Sequence, residues 1–130
     1  MQKSKQPDPK YPKMFKSVKK RDRQVVPFDQ ERITQAILKA MTAAGEGGDN
    51  EAERLKAAQK VSDKVVKELS RKYSSQRILG IEEIQDVVEA ALMILDYTKT
   101  AKAYVLYRRE RAMLREKRRE IPEQVKQLVA

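Results

Sequence analysis

The fold of this chain is decided by the stretch Val18-Lys19-Lys20-Arg21-Asp22-Arg23-Gln24-Val25-Val26-Pro27-Phe28-Asp29. Two short runs that contain apolar residues, 14–20 and 24–28, flank a polar turn at 21–23, and this arrangement predicts a β-hairpin. Asp22 suits the turn, but Arg23 stands where glycine usually follows, and a side chain makes a left-handed backbone conformation less favourable. Because two strands alone are marginally stable, we expect the hairpin to pack against helices.

Four helices are predicted after the hairpin. Asp29 is a suitable N-cap for the first, in which apolar residues recur at intervals of three and four until the three glycines within residues 45–48 end it. The same spacing predicts further helices over 51–73, 82–95 and 98–119. The acidic residues that open the third helix match the positive end of its dipole.

The remaining segments complete the predicted fold, which is α+β and mainly α. Residues 78–81 are too few for a helix of their own, and we expect them to add a short strand. Pro122 disfavours helical conformation at Ile121 and therefore ends the fourth helix. Six apolar residues of the third helix are expected to face inward: Ile84, Val87, Val88, Ala91, Leu92 and Leu95.

Composition excludes most self-contained catalytic machinery. The 130 residues suit a single domain, and they include no cysteine and no histidine. There is therefore no thiolate nucleophile, no cysteine zinc site and no imidazole base, and we nominate no catalytic residue and no metal ligand. The chain by itself is not expected to be an enzyme. No apolar run approaches the roughly 18 to 20 residues of a membrane helix, so we expect a soluble, cytoplasmic protein.

Positive charge is concentrated at two flanks. The 29 Lys and Arg exceed the 19 Asp and Glu by ten, and most of the excess lies in residues 1–23 and 108–119. Such flanks can bind phosphates or nucleic acid, or they can be solvated arms. Residues 1–14, with Pro7, Pro9 and Pro12, are expected to form a basic, disordered arm.

The cations of the hairpin turn lie next to a predicted helix start. Free backbone amides and the helix dipole favour an anion at that position, and Lys20 and Arg21 would add positive charge to it. A triphosphate fits this environment. The alternative is that the turn is a solvated loop, and the charge pattern alone leaves both interpretations open.

Three blocks of sequence carry a resemblance to a known family. They are Val18-Lys19-Lys20-Arg21-Asp22 with Val26-Pro27-Phe28-Asp29 and Arg32-Ile33, then Ile81-Glu82-Glu83-Ile84-Gln85-Asp86-Val87-Val88-Glu89, then Ala101-Lys102-Ala103-Tyr104-Val105-Leu106-Tyr107-Arg108. In their order and spacing, residues 15–119 resemble the ATP-cone, an allosteric nucleotide-binding domain found mainly at the N-terminus of ribonucleotide reductases. The resemblance implies a four-helix bundle capped by a β-hairpin or a three-stranded sheet as a lid.

The resemblance also implies a nucleotide between lid and helices, with ATP as activator and dATP as inhibitor, accompanied by Mg²⁺. Arg32 stands where many members have lysine, Arg23 replaces the glycine of the turn, and Ile81 replaces a threonine of some relatives. The implied nucleotide-binding residues are Val18 in the base pocket, Lys20 and Arg21 at the phosphates, Phe28, Arg32 and Ile33 at the first helix, and Arg108 on the fourth. For Arg108 the alternative is an exposed helix cation.

Two further groups have a structural interpretation beside the functional one. The carboxylates of Glu82, Glu83, Asp86 and Glu89 raise the question of metal binding. We expect them instead to offset the cations of neighbouring elements. The alternative is that one of them contacts the Mg²⁺ that arrives with ATP. The two tyrosines of the fourth helix, at 104 and 107, are expected to pack in the core or at its rim.

The resemblance implies a regulatory domain that senses the ratio of ATP to dATP and controls a reductase through nucleotide-dependent oligomerisation. Its partners would be the catalytic domain of the reductase and further ATP-cones, with the exposed faces of the third and fourth helices as contact surfaces. Residues 120–130 resemble a linker toward a missing catalytic domain, so the domain is excised or naturally separate. The alternative is a small basic nucleic-acid-binding module that uses residues 1–23 and 108–119.

Overall fold

A computed structural model describes residues 15–74 and 76–120, with side chains as far as Lys117. The predicted arm at 1–14 and residues 121–130 of the predicted linker lie outside the described residues. The elements of the described part follow one another as β1 (Ser17–Lys19), β2 (Val25–Pro27), α1 (Gln30–Ala44), α2 (Glu51–Lys72), β3 (Leu79–Gly80), α3 (Ile81–Ile94) and α4 (Thr98–Glu120).

The three strands form one mixed sheet in the order β2-β1-β3. β1 and β2 are antiparallel, with Val18 opposite Val26, and β3 lies parallel to β1 on its other side, with Val18 opposite Leu79. The predicted hairpin and the predicted additional strand are both confirmed. Leu79 is fully buried and Val18 nearly so, because β1 and β3 lie over the helices.

The hairpin turn forms although Arg23 stands at the position where glycine is usual. The Arg23 N–H donates to the carbonyl of Lys20 at 2.9 Å, and the Lys20 N–H donates to the carbonyl of Gln24 at 2.8 Å. Asp22 accepts a hydrogen bond from the Gln24 N–H through its carboxylate at 3.0 Å. Arg23 has a φ of 72°, which is the left-handed conformation that glycine adopts most easily.

The two ends of α1 follow their predicted signals, and α2 begins at an N-cap that was not predicted. Asp29 is the N-cap of α1 and accepts from the Glu31 N–H, while Gly45 ends the helix with a left-handed φ of 70°. Asn50 caps α2 in the same way by accepting from the Glu53 N–H. All four predicted helices are confirmed, with ends within one residue of those expected for α2, α3 and α4.

The four helices form the bundle under the sheet, and their apolar faces make one core. The prediction for Leu95 is wrong, because this side chain is 39% exposed. α3 ends at Ile94, and Leu95 is its C-cap, so the helical spacing that places Leu92 inside no longer applies to it. The fully buried side chains of the core include Ile37, Met41, Val61, Val65, Leu69, Leu79 and Leu92.

Two polar contacts fix the helices relative to one another. Buried Thr34 of α1 donates its hydroxyl proton to the Ser62 hydroxyl of α2 at 2.7 Å. At the far end of the bundle, a carboxylate oxygen of Glu46 accepts both the N–H and the hydroxyl of fully buried Thr100, each at 2.8 Å. None of the helices described is both long and apolar enough to span a membrane.

Candidate functional site

A cavity of about 230 Å³ lies between the sheet and the bundle. It is lined by the hairpin, the start of α1, the start of α3 and residues 107–115 of α4, so segments that are distant in sequence meet there. Six of the seven residues nominated from the sequence line it, namely Val18, Lys20, Arg21, Phe28, Arg32 and Ile33. Their clustering follows from the hairpin, which carries its turn and β2 directly to the N-terminus of α1.

The cavity lining includes apolar side chains from the sheet and from the bundle. Phe28 packs its ring against Phe15 with centroids 5.9 Å apart, and this contact fixes the wall where β2 leads into α1. Ile33 of α1 and Ile84 of α3 continue the apolar wall from the bundle side. Val18 is only 6% exposed, so only a small part of its side chain lines the cavity and the rest packs in the core. These apolar side chains can contact a flat ring.

The cavity lining is also strongly cationic. Five basic side chains reach it, whereas Asp29 is the single acidic residue in its lining. The Asp29 carboxylate is already used as the cap of α1. The excess positive charge favours an anion with several negative charges, such as a polyphosphate. The five basic residues are Lys20, Arg21, Arg32, Arg111 and Arg115.

The structure places Arg108 away from the cavity. The Arg108 side chain is 17% exposed, and its guanidinium forms an ion pair with Asp86 at 2.9 Å and another with Glu89. The guanidinium also lies 3.9 Å from a carboxylate oxygen of Glu82. Burial alone lowers the pKa of Arg108, but the hydrogen bonds to Glu89 and Asp86 outweigh it and raise the pKa above its ordinary value. Arg108 therefore joins α4 to α3. It does not line the cavity, and it is not an exposed helix cation either.

Arg111 and Arg115 are cavity residues that sequence reasoning missed. Together with Tyr107 they form a stripe at intervals of four on α4, and such a stripe lies on one face of a helix. The Arg111 guanidinium lies 5.8 Å from the centre of the Tyr107 ring, which helps to orient it toward the cavity. The stripe was visible in the sequence, but only the bundle shows which face of α4 points to the lid.

The acidic residues of α3 pair with arginines, as the sequence predicted. Arg21 of the hairpin turn reaches Glu82 at 2.9 Å, and Arg77 reaches Glu83 at 2.7 Å. Among residues 15–74 and 76–120 no group of three or more acidic, cysteine or histidine side chains could hold a metal ion. The carboxylates of α3 thus act within the domain, as partners for cations on three neighbouring elements.

The two tyrosines of α4 differ in their surroundings. Tyr104 is 5% exposed and belongs to the core, as predicted, and its burial raises the pKa of the phenol. Tyr107 is 38% exposed and lies at the rim of the cavity. Gln85, on α3, also reaches the cavity and was not nominated from the sequence.

Comparison with known proteins agrees with this architecture. A family model described as the ATP cone domain matches residues 16–113. The chain is 44% identical over 110 residues to the vitamin B12-dependent ribonucleoside-diphosphate reductase of Thermoplasma acidophilum, and the match covers 81% of this chain and 13% of the relative.

Two further relatives represent other reductases. The anaerobic ribonucleoside-triphosphate reductase of Salmonella typhimurium is 36% identical over 116 residues, which are 89% of this chain and 15% of the relative. The ribonucleoside-diphosphate reductase subunit alpha of Chlamydia muridarum is 37% identical over 104 residues, which are 78% of this chain and 10% of the relative. The matched part therefore spans between 10 and 15% of the length of these three relatives.

Proposed function

Because this chain belongs to the ATP-cone family, we propose that it is a regulatory domain whose cavity binds ATP and dATP as allosteric effectors of a ribonucleotide reductase. The domain itself performs no catalysis in this proposal. The relatives named above are reductases, which supports the proposed parent enzyme. The radical chemistry of reduction would belong to a catalytic domain, which is the proposed partner, and the proposed location is the cytoplasm.

The observation that carries the proposal is that the lining of the cavity combines apolar side chains with five cations. A nucleoside triphosphate offers matching groups, since it has a flat base and a chain of several negative charges. Phe28, Ile33 and Ile84 would contact the base, with the edge of Val18 beside them. The cations would bind the phosphates through charge-assisted hydrogen bonds.

The phosphate-binding cations come from three elements that the ligand would join. Lys20 and Arg21 belong to the hairpin turn, Arg32 to the first turn of α1, and Arg111 and Arg115 to α4. A triphosphate bound by all three would hold the lid, α1 and the second half of α4 together. Mg²⁺ would accompany the phosphates and be held largely by phosphate oxygens and water, which is its usual coordination beside nucleotides.

Regulation requires that ATP and dATP stabilise different arrangements of the domain, because a ligand shifts an equilibrium only by its differential affinity for the two states. We propose that these arrangements differ in the surfaces that α3 and α4 offer to further ATP-cones. Both helices carry large exposed apolar side chains, among them Ile94 on α3 and Leu106, Met113 and Leu114 on α4. The nucleotide ratio would thereby control the oligomeric state and the activity of the parent enzyme.

Calorimetric titration tests the proposal directly. The 130-residue chain would be titrated with ATP, with dATP and with GTP in buffer containing Mg²⁺. We expect saturable binding of the two adenine nucleotides and weaker binding of GTP, with a stoichiometry that gives the number of sites. Equal binding of all three, lost steeply with added salt, would instead indicate general attraction of phosphates and favour the nucleic-acid alternative.

The proposed signalling has a separate test. The molecular mass of the chain would be measured by light scattering with saturating ATP and with saturating dATP. We expect different mass distributions for the two nucleotides, in the isolated domain or in the parent enzyme. A single mass under both conditions, at concentrations well above the dissociation constants, would contradict regulation through oligomerisation while leaving nucleotide binding intact.

A further inference from the structure

One cavity cation is already bound to a carboxylate of the protein. The guanidinium of Arg21 donates from Nη1 to Oε2 of Glu82 at 2.9 Å, although the two residues lie 61 positions apart in the chain. The Arg21 side chain is 25% exposed and that of Glu82 is 60% exposed. The ion pair thus connects the hairpin turn to the first turn of α3 at the border of the cavity.

We infer that Glu82 holds Arg21 and partly neutralises it before a nucleotide binds, and that it competes with the phosphates of that nucleotide for Arg21. This inference rests on the proposed function, since it concerns the same cavity. A carboxylate and a phosphate oxygen are equivalent partners for a guanidinium, and both carry negative charge. A phosphate that approaches Arg21 meets a cation that is partly neutralised, and Glu82 repels it. Binding is therefore weaker than the five cavity cations alone would give.

Glu82 also belongs to a chain of charges that crosses three elements. Its other carboxylate oxygen lies 3.9 Å from Nη2 of Arg108, and its backbone carbonyl lies 3.4 Å from the same nitrogen. When a phosphate takes Arg21, Glu82 keeps Arg108 as its remaining partner, whereas Arg108 keeps Asp86 and Glu89 throughout. Exchange of partners at Arg21 thus releases the hairpin turn from α3 without releasing α4.

The direct test is Glu82→Gln in the full chain, with the dissociation constant for ATP measured by calorimetry. An exposed ion pair contributes modestly, so we expect the constant to fall by about two- to five-fold relative to the parent chain. The matched control is Glu83→Gln. It removes the same charge from the same turn of α3, but its partner is Arg77, which does not line the cavity, and its Oε1 can still accept the Gly80 N–H.

A second variant shows whether the effect passes through Arg21. In an Arg21→Gln background, Glu82→Gln has no ion pair with the hairpin turn to remove, so it should change the affinity no more than Glu83→Gln does. In each background, the fold-change in the dissociation constant caused by Glu82→Gln is divided by the fold-change caused by Glu83→Gln. The difference between these two ratios measures the competition for Arg21. General loss of negative charge near the cavity affects both variants alike and cancels from each ratio.

The outcomes separate this inference from the proposed function. If the parent chain binds nucleotide and Glu82→Gln and Glu83→Gln bind it with equal affinity, the inference is overturned and the proposed function stands. Weaker binding by Glu82→Gln also overturns it, because Glu82 would then orient Arg21 for the phosphate. If the parent chain binds no nucleotide, the proposed function fails and the inference falls with it.

Discussion

Arg111→Gln tests whether Arg111, a cavity residue on α4, contacts the phosphates of the nucleotide. Arg111 lines the cavity and lies beside the Tyr107 ring, so its side chain is oriented before a ligand arrives. A charge-assisted hydrogen bond contributes about 1.5 to 3 kcal/mol. Arg111 is exposed, and solvent screens its charge, so we take a smaller value of about 1 to 1.5 kcal/mol. The dissociation constant for dATP should therefore rise by about five- to tenfold.

The matched control is Arg109→Gln. Arg109 is also an exposed arginine of α4, but it does not line the cavity. Both substitutions remove one positive charge, so long-range attraction of the nucleotide should fall by similar amounts, and the difference between the variants reports contact with the phosphates. Calorimetry with dATP at two salt concentrations gives the affinities, and thermal unfolding checks that both variants keep the parent's stability. Equal losses of affinity in the two variants would refute the assignment of Arg111 to the ligand.

Three further substitutions test the fold. Arg108→Gln should lower the free energy of unfolding by about 1 to 3 kcal/mol, because Asp86 and Glu89 lose their common partner. Urea unfolding measures this change, with Arg109→Gln as the control. An unchanged midpoint would contradict the prediction. Arg23→Gly should raise stability by about 0.5 to 1 kcal/mol, since φ at this position is 72°, and a less stable variant would show that the arginine side chain compensates for its strain. Burial alone raises the pKa of Glu46, but hydrogen bonds from Thr100, assisted by Lys99, outweigh it and hold the pKa below its ordinary value. At pH values above the ordinary pKa of glutamate the Glu46 carboxylate therefore stabilises the fold, and this contribution is lost as the pH falls through the lowered pKa. The parent chain should exceed Glu46→Gln in stability at about pH 7, and the difference should shrink as the pH falls below that ordinary pKa.

The hairpin and the helices could be predicted because their signals are local. Asp29 and Asn50 are capping residues, Gly45 accepts the left-handed conformation that ends α1, and the apolar spacing marks the inner faces. The turn shows a local signal that was overridden, since the hairpin forms with Arg23 at a φ of 72°, where glycine is usual. Leu95 shows where this reasoning fails, since a residue just beyond a helix end no longer follows the helical period.

The part of the site that the hairpin and the start of α1 contribute could be predicted from the sequence. The hairpin turn and the start of α1 lie close in sequence, so the nearness of Lys20, Arg21 and Arg32 follows from chain connectivity. The contribution of α4 was not predictable in this way. Arg108 and Arg111 differ by three positions, which is about 60° short of a full helical turn, and the direction of each depends on how α4 is rotated against α3. That rotation depends on packing between distant parts of the chain.

The sequence by itself determined the element order, the mainly helical class, the hairpin with its unusual turn and the absence of cysteine and histidine chemistry. These properties depend on composition and on interactions between residues a few positions apart. The tertiary structure decided which cations share a cavity and which are neutralised. Arg21 meets Glu82 across 61 positions and Arg108 meets Asp86 and Glu89 across two helices, because packing of the apolar core brings together side chains whose separation in sequence gives no sign of contact.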